Sequence, residues 1–338
     1  MSNSSQIQKI KENIEEHYKI ERYCDRNVYQ GIDRDTKELV SFNIIYNLLE
    51  SKYNIWKVLE EIQKNSSFKH ENIARLVNIK ISNQVDKFES VILVMERLDT
   101  DLSTIIKSKI ELSVNRRRSL MFQILQGLKY LHRKNISHKY LRPEKIMVNS
   151  NSNLLKIDAL NYDTHFYSHW YRSPESLMNC YDNGTFSTDI WSAGCILYEM
   201  IARKPLFQCK KLTHQLPTIV KTIGSPTESD LHFVHNQKQI EYINSLTKVD
   251  EVDWEKLVAK GASDEVDLIK MMLKWDPSKR ISVEEAMKHP YFKLLHDSSD
   301  QTFCSPIDIT SPQRMAYDKL PVYLWNKIQE IREEKQYK

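Results

Sequence analysis

The chain has 338 residues, 41% of them apolar and 28% charged, with a net charge of +4. That length allows two lobes, each with its own core, and the mild basicity gives no reason to expect a nucleic-acid partner. Five widely spaced cysteines without a C-x-x-C point to reduced thiols in a cytosolic or nuclear compartment.

Residues 1–17 form a polar extension. They lack the apolar core of a secretory signal and the second-position glycine of a myristoylation site. Residues 18–45 alternate in strand fashion around the turn signal "DRDTKE", 53–64 ("YNIWKVLEEIQK") have helical spacing, and "VILVME" at 91–96 has the composition of a buried strand. The longest apolar runs, such as "VILVM", are too short to span a bilayer.

From about residue 100 the pattern is helical, which places a seam near Glu96–Thr100. In "NRRRSLMFQILQGLKYLH", Leu120, Ile124, Leu128 and Leu131 fall on one helical face, and Arg116, Arg117 and Arg118 read as a solvated surface. "STDIWSAGCILYEMIARK" is apolar nearly all round, as in a helix buried on every side. "ISVEEAMKHPYF" opens with a capping box, Ser282 with Glu285 three residues on.

Glycines number six, and no two are closer than ten residues. A Gly-rich phosphate loop needs at least two within about six positions, so that backbone N–H groups can approach the phosphates. No such loop exists here. His165 and His169, near Asp163, have a metal-like spacing but no helical periodicity and no second ligand pair, so no metal is expected. His232 and His235 read as surface positions.

Several segments together resemble the eukaryotic protein kinase superfamily, from about residue 18 to 296. "HKYLRPEKIMVN" stands at the catalytic loop, "DAL" at the metal-binding Asp-Phe-Gly, and "WYRSPE" at the end of the activation segment. "STDIWSAGCILYEM" stands at the long buried helix, and Glu175 and Arg280 at the family's buried structural ion pair. "DTDLSTIIKS", "RKPLFQ", "HQLPTIVKTIGSPTESDL" and "HPYFKLLHDSSD" are similar to the mitogen-activated group. The resemblance implies an α+β, bilobal protein-kinase fold: an extension at 1–17, a β-rich N-lobe at 18–95 and a helical C-lobe at 96–296. An insert near 208–253 belongs to the C-lobe. A C-terminal extension at 297–338 would include "LPVYLWNKIQEI", which in this group wraps back onto the small lobe.

Phosphoryl transfer is mostly positioning and electrostatics, so each required part can be checked on the resemblance. Glu21, Tyr23 and Arg26 stand where the phosphate-loop glycines should be, with Val28 kept. Asn43 replaces the phosphate-gripping lysine, and an amide carries no charge. Glu61 stands at that lysine's helical partner and, without it, reads as an ordinary solvated carboxylate. Tyr140 replaces the catalytic aspartate; a phenol with a pKa of ~10 cannot take a carboxylate's part at neutral pH. Arg142 replaces the catalytic-loop lysine and Lys145 the metal-binding asparagine. Asp158 survives as the second metal ligand, but Ala159 and Leu160 follow it, and one carboxylate is a poor magnesium site.

The activation segment is short, with sixteen residues between Asp158 and Glu175. It lacks the Thr-x-Tyr in register, although Thr164 and Tyr167 remain as modifiable groups. Asp297 and Asp300 follow "HPYF" where mitogen-activated kinases carry the acidic pair of their docking site for basic-hydrophobic peptides.

The expectation is therefore a pseudokinase scaffold or allosteric partner in intracellular signalling, with no catalytic residue, no metal and no cofactor. Its partners would be signalling proteins bearing basic-hydrophobic docking peptides, with neither nucleic acid nor membrane involved. The alternative is a divergent, weakly active Ser/Thr kinase using ATP and magnesium, in which Asp158, Glu61 and Met95 would contact the nucleotide site.

Overall fold

The strand alternation of the first fifty residues builds an antiparallel sheet. The computed structural model describes residues 14–25, 28–46, 48–81, 90–160, 169–180, 185–295, 316 and 319–336. The chain divides into two compact units, one of Met1–Asp99, Asp158–Tyr162 and Ile307–Lys338, the other of Thr100–Ile157 and Asp163–Pro306.

In the smaller unit, β1 (Tyr18–Asp25), β2 (Val28–Asp33), β3 (Leu39–Ile45), β4 (Leu76–Ile81) and β5 (Val91–Glu96) pair in the order β1-β2-β3-β5-β4. The turn after β2 is made by Asp33, whose Oδ1 accepts from the N–H groups of Asp35 (2.9 Å) and Thr36 (3.0 Å). Lys37 completes it in the left-handed region, at φ 64°, a conformation such turns require. Helix α1 (Lys52–Ser66) starts at Ser51, whose hydroxyl accepts from the Asn54 N–H at 3.1 Å. That N-cap satisfies one of the orphan donors of the first turn.

Period-two alternation sends Val40, Phe42 and Ile44 of β3 to one face of the sheet, where they meet Ile14, Tyr18, Ile92 and Val94. Tyr18 and Phe42 meet edge to face, with centroids 5.2 Å apart. The second cluster joins Ile55, Val58, Leu59 and Ile62 of α1 to Ile79, Ile81, Leu93 and Met95 of the sheet. Leu160 enters it, as do Leu320, Leu324, Ile328 and Ile331 of the C-terminal helix (Leu320–Lys335). The last helix is therefore part of the small unit's core.

In the larger unit, β6 (Thr100–Asp101), β7 (Ile146–Val148) and β8 (Leu155–Ile157) form a small sheet. Helices α2 (Leu102–Lys107), α3 (Val114–Arg133) and α4 (Thr185–Ala202) follow in chain order. After them come α5 (Gln215–Ile223), α6 (Gln237–Ser245), α7 (Ser263–Met272) and α8 (Val283–Met287). Every residue of α4 from Thr188 to Ile201 is buried, as its all-round apolarity requires, with α3 and α7 packed against it. Gly224 ends α5 at φ 96°, a left-handed conformation that glycine adopts without cost. The capping box of α8 is formed, with the Ser282 N–H donating to Glu285 at 2.9 Å. No helix among the described residues is long and apolar enough to cross a membrane.

The arginine triplet of α3 departs from the solvated face expected of it. Arg117 is buried and donates from Nε and Nη2 to the two Glu265 oxygens at 2.8 and 2.7 Å. Tyr291 donates to the same carboxylate at 2.9 Å, and the Arg118 guanidinium lies 5.0 Å from that ring's centroid. The partner carboxylate lies on α7, 148 residues away, so local periodicity carries no trace of it.

Ile328 has 0% exposure at the centre of the second cluster. Ile328→Ala is expected to lower stability by about 3 kcal/mol through lost burial and the cavity left behind, read as a fall in the urea midpoint with the denaturant slope unchanged.

Candidate functional site

The small unit presents one face of its sheet that the first cluster does not cover. Ser41 and Asn43 alternate out of that cluster on β3; Asn43 lies opposite Val28 and Leu93, and Ser41 opposite Gln30 and Met95. The row is polar and has no lysine on β3. Its cation comes from β1: Arg22, in register with Gln30, donates from Nε to Gln30 Oε1 at 2.7 Å. The sequence reading missed this residue, because the β1–β2 register that places it is not visible in composition. Glu21 sits at an irregularity of the β1 ladder, between Ile20 and Arg22, and Tyr23 stacks edgewise on Tyr29 at 5.2 Å. Arg26 lies outside the described residues.

Glu61 differs from the solvated carboxylate expected of it. It is 5% exposed on α1, on the same side as Val58, Ile62 and Asn65, which its helical register turns into the core. Asn65 Nδ2 donates to the Glu61 carbonyl at 2.9 Å and to its carboxylate at 3.4 Å, with Lys64 Nζ 3.7 Å from that carboxylate. A buried carboxylate held this way is a structural group as well as a candidate partner for a cation. Met95 is buried at the end of β5. Asp158 Oδ1 accepts from the Leu160 N–H at 3.0 Å, so one carboxylate oxygen closes its own turn while Leu160 anchors the segment in the core.

In the larger unit, the loop after α3 is fastened to a single carboxylate. Asp189, fully buried on α4, accepts from Ser137 Oγ (3.0 Å), His138 N (2.8 Å) and Lys139 N (2.7 Å), with His132 Nε2 at 2.9 Å. Burial alone would raise its pKa; the hydrogen bonds and charge of His132, with His138, outweigh that and hold it below the ordinary value. Lys139 is left-handed, at φ 67°, a strained conformation that persists only where surrounding bonds fix it. Tyr140 follows, its N–H bonded to the His138 carbonyl at 2.9 Å. The turn Pro143–Lys145 then places Lys145, and Arg142 Nε lies 3.6 Å from Glu144. The loop is built and held, with Tyr140 between its bond to His138 and the Pro143–Lys145 turn.

Two further carboxylates stabilise the same unit. Glu175 pairs with Arg280 at 2.5 and 2.6 Å, as the sequence implied, and the Arg280 guanidinium lies 5.0 Å from the Trp191 ring centroid. Burial pushes the Glu175 carboxyl up, and Arg280 outweighs it and holds the pKa below the usual range. Among the described residues, Glu199 has no cation in that role. Tyr171 donates to it at 2.6 Å, and burial raises its pKa to about 7, with the Tyr171 bond opposing the rise and the Glu144 charge adding to it.

Among the described residues, no group of His, Cys, Asp and Glu is arranged to hold a metal ion. Asp163, Thr164, His165, Tyr167, Asp297 and Asp300 lie outside the described residues. Asn43 and Met95 come together on one sheet face, and Tyr140, Arg142 and Lys145 along one loop; the two groups belong to different units.

A family model described as a protein kinase domain matches residues 26–292. The chain is 37% identical over 284 residues to Extracellular signal-regulated kinase 1 of Dictyostelium discoideum, covering 80% of this chain and 53% of that protein. It thus spans about half the length of that relative. With Mitogen-activated protein kinase 7 of Arabidopsis thaliana it shares 35% identity over 312 residues, 89% of this chain and 84% of the relative. A solved structure of a MAP kinase from Leishmania major matches with a TM-score of 0.83 at 27% identity, covering 97% of this chain and 99% of that one.

Glu199 generates a pH prediction. Its folded pKa, about 7, lies above the unfolded carboxylate's ~4.3, so the folded state holds the proton more tightly. That stabilising contribution is complete below the unfolded pKa and declines as pH rises through the folded pKa, by roughly 4 kcal/mol in all. Glu199→Gln keeps an oxygen to accept from Tyr171 and should flatten this decline, leaving the variant the more stable protein at pH 8. Urea midpoints from pH 4.5 to 8.5 measure it; parallel profiles for the two proteins would refute the assignment.

Proposed function

This chain belongs to the protein kinase domain family and is MAP-kinase-like, and we propose that it is a pseudokinase that acts as a scaffold or allosteric partner in intracellular signalling. The observation that carries the proposal is Tyr140. The loop around it is fully secured to Asp189, so the family's architecture is kept while the proton acceptor is absent. A neutral phenol cannot orient and accept a substrate hydroxyl proton as a carboxylate does.

Other positions support the same reading. Family membership carries ATP and magnesium with it, and the residues here fit them poorly. Asn43 brings no positive charge to β3, and Asp158 commits one oxygen to the Leu160 N–H. Lys145 puts a cation where the metal-binding asparagine would be. Bare backbone cannot approach phosphate where Glu21 and Tyr23 carry side chains.

A second reading, a divergent and weakly active ATP-dependent Ser/Thr kinase, is favoured by three observations. Relatives named as kinases share 35–37% identity with this chain, Asp158 is retained, and Arg22 and Gln30 put hydrogen-bonding groups on the sheet face beside Asn43. Transfer of radiolabelled phosphate to generic acidic, basic and Pro-directed peptides separates the two. The expected result is incorporation no higher than that of Asp158→Ala, and no rise in melting temperature with ATP, with or without magnesium. Incorporation that disappears in Asp158→Ala would establish the second reading.

The scaffold role is tested through Asp297 and Asp300. A basic-hydrophobic peptide steered by this acidic pair should bind more weakly as salt rises, since rim charges are screened. Asp297→Asn with Asp300→Asn should reduce binding several-fold at low salt and leave the melting temperature unchanged. Equal binding by the two proteins would exclude this docking site.

A further inference from the structure

The segment Val-Asp-Glu-Val-Asp-Trp-Glu, residues 249–255, holds Asp250, Glu251, Asp253 and Glu255 and no basic residue, on a chain whose net charge is +4. Its second half and one face of α7 enclose a cavity of about 480 Å³, wholly within the larger unit. That volume lies within the range of sites that bury a ligand group, ~300–1,000 Å³. Ser263, Val266, Asp267 and Lys270 line it from α7, at the spacings of three and four residues that share a helical face. Val252 and Trp254 line it from the segment, both half-buried, and Val266 is 3% exposed. The cavity therefore has apolar walls and an acidic rim.

Trp254 separates this cavity from an ordinary solvated loop. An indole that is partly withdrawn from water normally has its ring face or its N–H engaged, and other tryptophans of this chain do. Lys52 Nζ lies 5.8 Å from the Trp56 ring centroid, and Arg280 Cζ lies 5.0 Å from that of Trp191. Trp170 and Trp275 donate from Nε1 to the carbonyls of Cys209 (2.7 Å) and Gly224 (3.1 Å). Among the described residues, Trp254 has no hydrogen bond, no cation and no other ring against it. The carboxylates differ in the same respect. Asp253 caps its own turn, accepting from the Lys256 N–H at 3.2 Å, and Asp267 lies 3.0 Å from His289 Nε2. Glu251 and Glu255 are exposed and have no partner among the described residues. Lys270 is the one basic residue of the lining.

A ring face without a partner, beside two carboxylates without partners, is complementary to a cation. A guanidinium suits it better than an ammonium, because it is planar, weakly hydrated and can stack on indole while its N–H groups reach carboxylate oxygens. Free arginine carries its own carboxylate, which the acidic rim repels; an arginine inside a peptide does not. We propose that this cavity binds an arginine side chain presented by a basic peptide of a partner protein, with the guanidinium against Trp254 and paired to Glu251 and Glu255. The site lies in the larger unit alone, is separate from Asp297 and Asp300, and stands whether or not the chain transfers phosphate.

The test is fluorescence anisotropy of a labelled Gly/Ser peptide carrying two arginines, with its lysine and citrulline counterparts. The protein is the full chain with Asp297→Asn and Asp300→Asn already in place, so this site is read apart from the other acidic pair. The arginine peptide should bind saturably and more weakly as salt rises, the lysine peptide about fivefold more weakly, and the uncharged citrulline peptide not at all. Glu251→Gln with Glu255→Gln should weaken arginine binding at least about fivefold and leave the melting temperature unchanged. Trp254→Phe should keep part of the affinity and Trp254→Leu should lose it. The exposed glutamates keep the test decisive if Trp254→Leu fails to fold. Equal binding of the citrulline peptide, or equal binding by the Gln variant, overturns the proposal. Two other occupants would overturn it as well: calcium that binds in place of the peptide, or self-association in sedimentation that Glu251→Gln with Glu255→Gln abolishes while the arginine peptide does not bind.

Discussion

A single carboxylate with no exposed surface, Asp189, organises the larger unit. It sits on α4, which is enclosed from Thr188 to Ile201, and takes hydrogen bonds from the Ser137 hydroxyl and from the backbone of His138 and Lys139. Backbone N–H groups in a loop must find acceptors or water, and here a buried anion supplies them. The cost of burying that charge is offset by these donors together with His132. Because the bonds run to main chain, the side chains at 139 and 140 can change without releasing the loop. The loop's shape is thus set by its backbone and by Asp189, not by the side chain at 140.

The same logic recurs in the ion pairs. Glu175–Arg280 and Arg117–Glu265 are both bidentate and buried, and each ties segments far apart in sequence. Removing one partner of such a pair leaves an uncompensated charge, so each acts as a constraint on which segments must meet. Glu199 is the contrast. The Tyr171 hydroxyl donates to it, and it accommodates burial by holding its proton more tightly.

Much of the fold was legible from periodicity. The alternation of 18–45 gave the β1–β3 strands, and the all-round apolarity of "STDIWSAGCILYEM" gave the buried helix. Ser282 and Glu285 gave the start of α8. What stayed hidden depends on partners distant in sequence. Arg117 reads as one of three surface arginines until Glu265 is placed beside it. Glu61 reads as solvated until helical register turns it inward with Ile62 and Asn65. Arg22 gains meaning only through its pairing with Gln30. For the site, Asn43, Tyr140 and Lys145 were assigned by position in the sequence alone, whereas the bond from the Leu160 N–H to Asp158 depends on how that turn folds.

The incorporation of Leu320, Leu324, Ile328 and Ile331 into the cluster that α1 and the sheet begin has a consequence for the growing polypeptide. The strands leave the ribosome first, yet the apolar surface they share with α1 stays open until the last helix has been made. At roughly 5–20 residues per second, that interval is on the order of tens of seconds, during which the elements of the other unit are all synthesised. The sheet of the smaller unit is thus made before the larger unit and completed after it. A chain terminated before its final helix would leave those isoleucines and leucines exposed to association with chaperones or with other copies of itself.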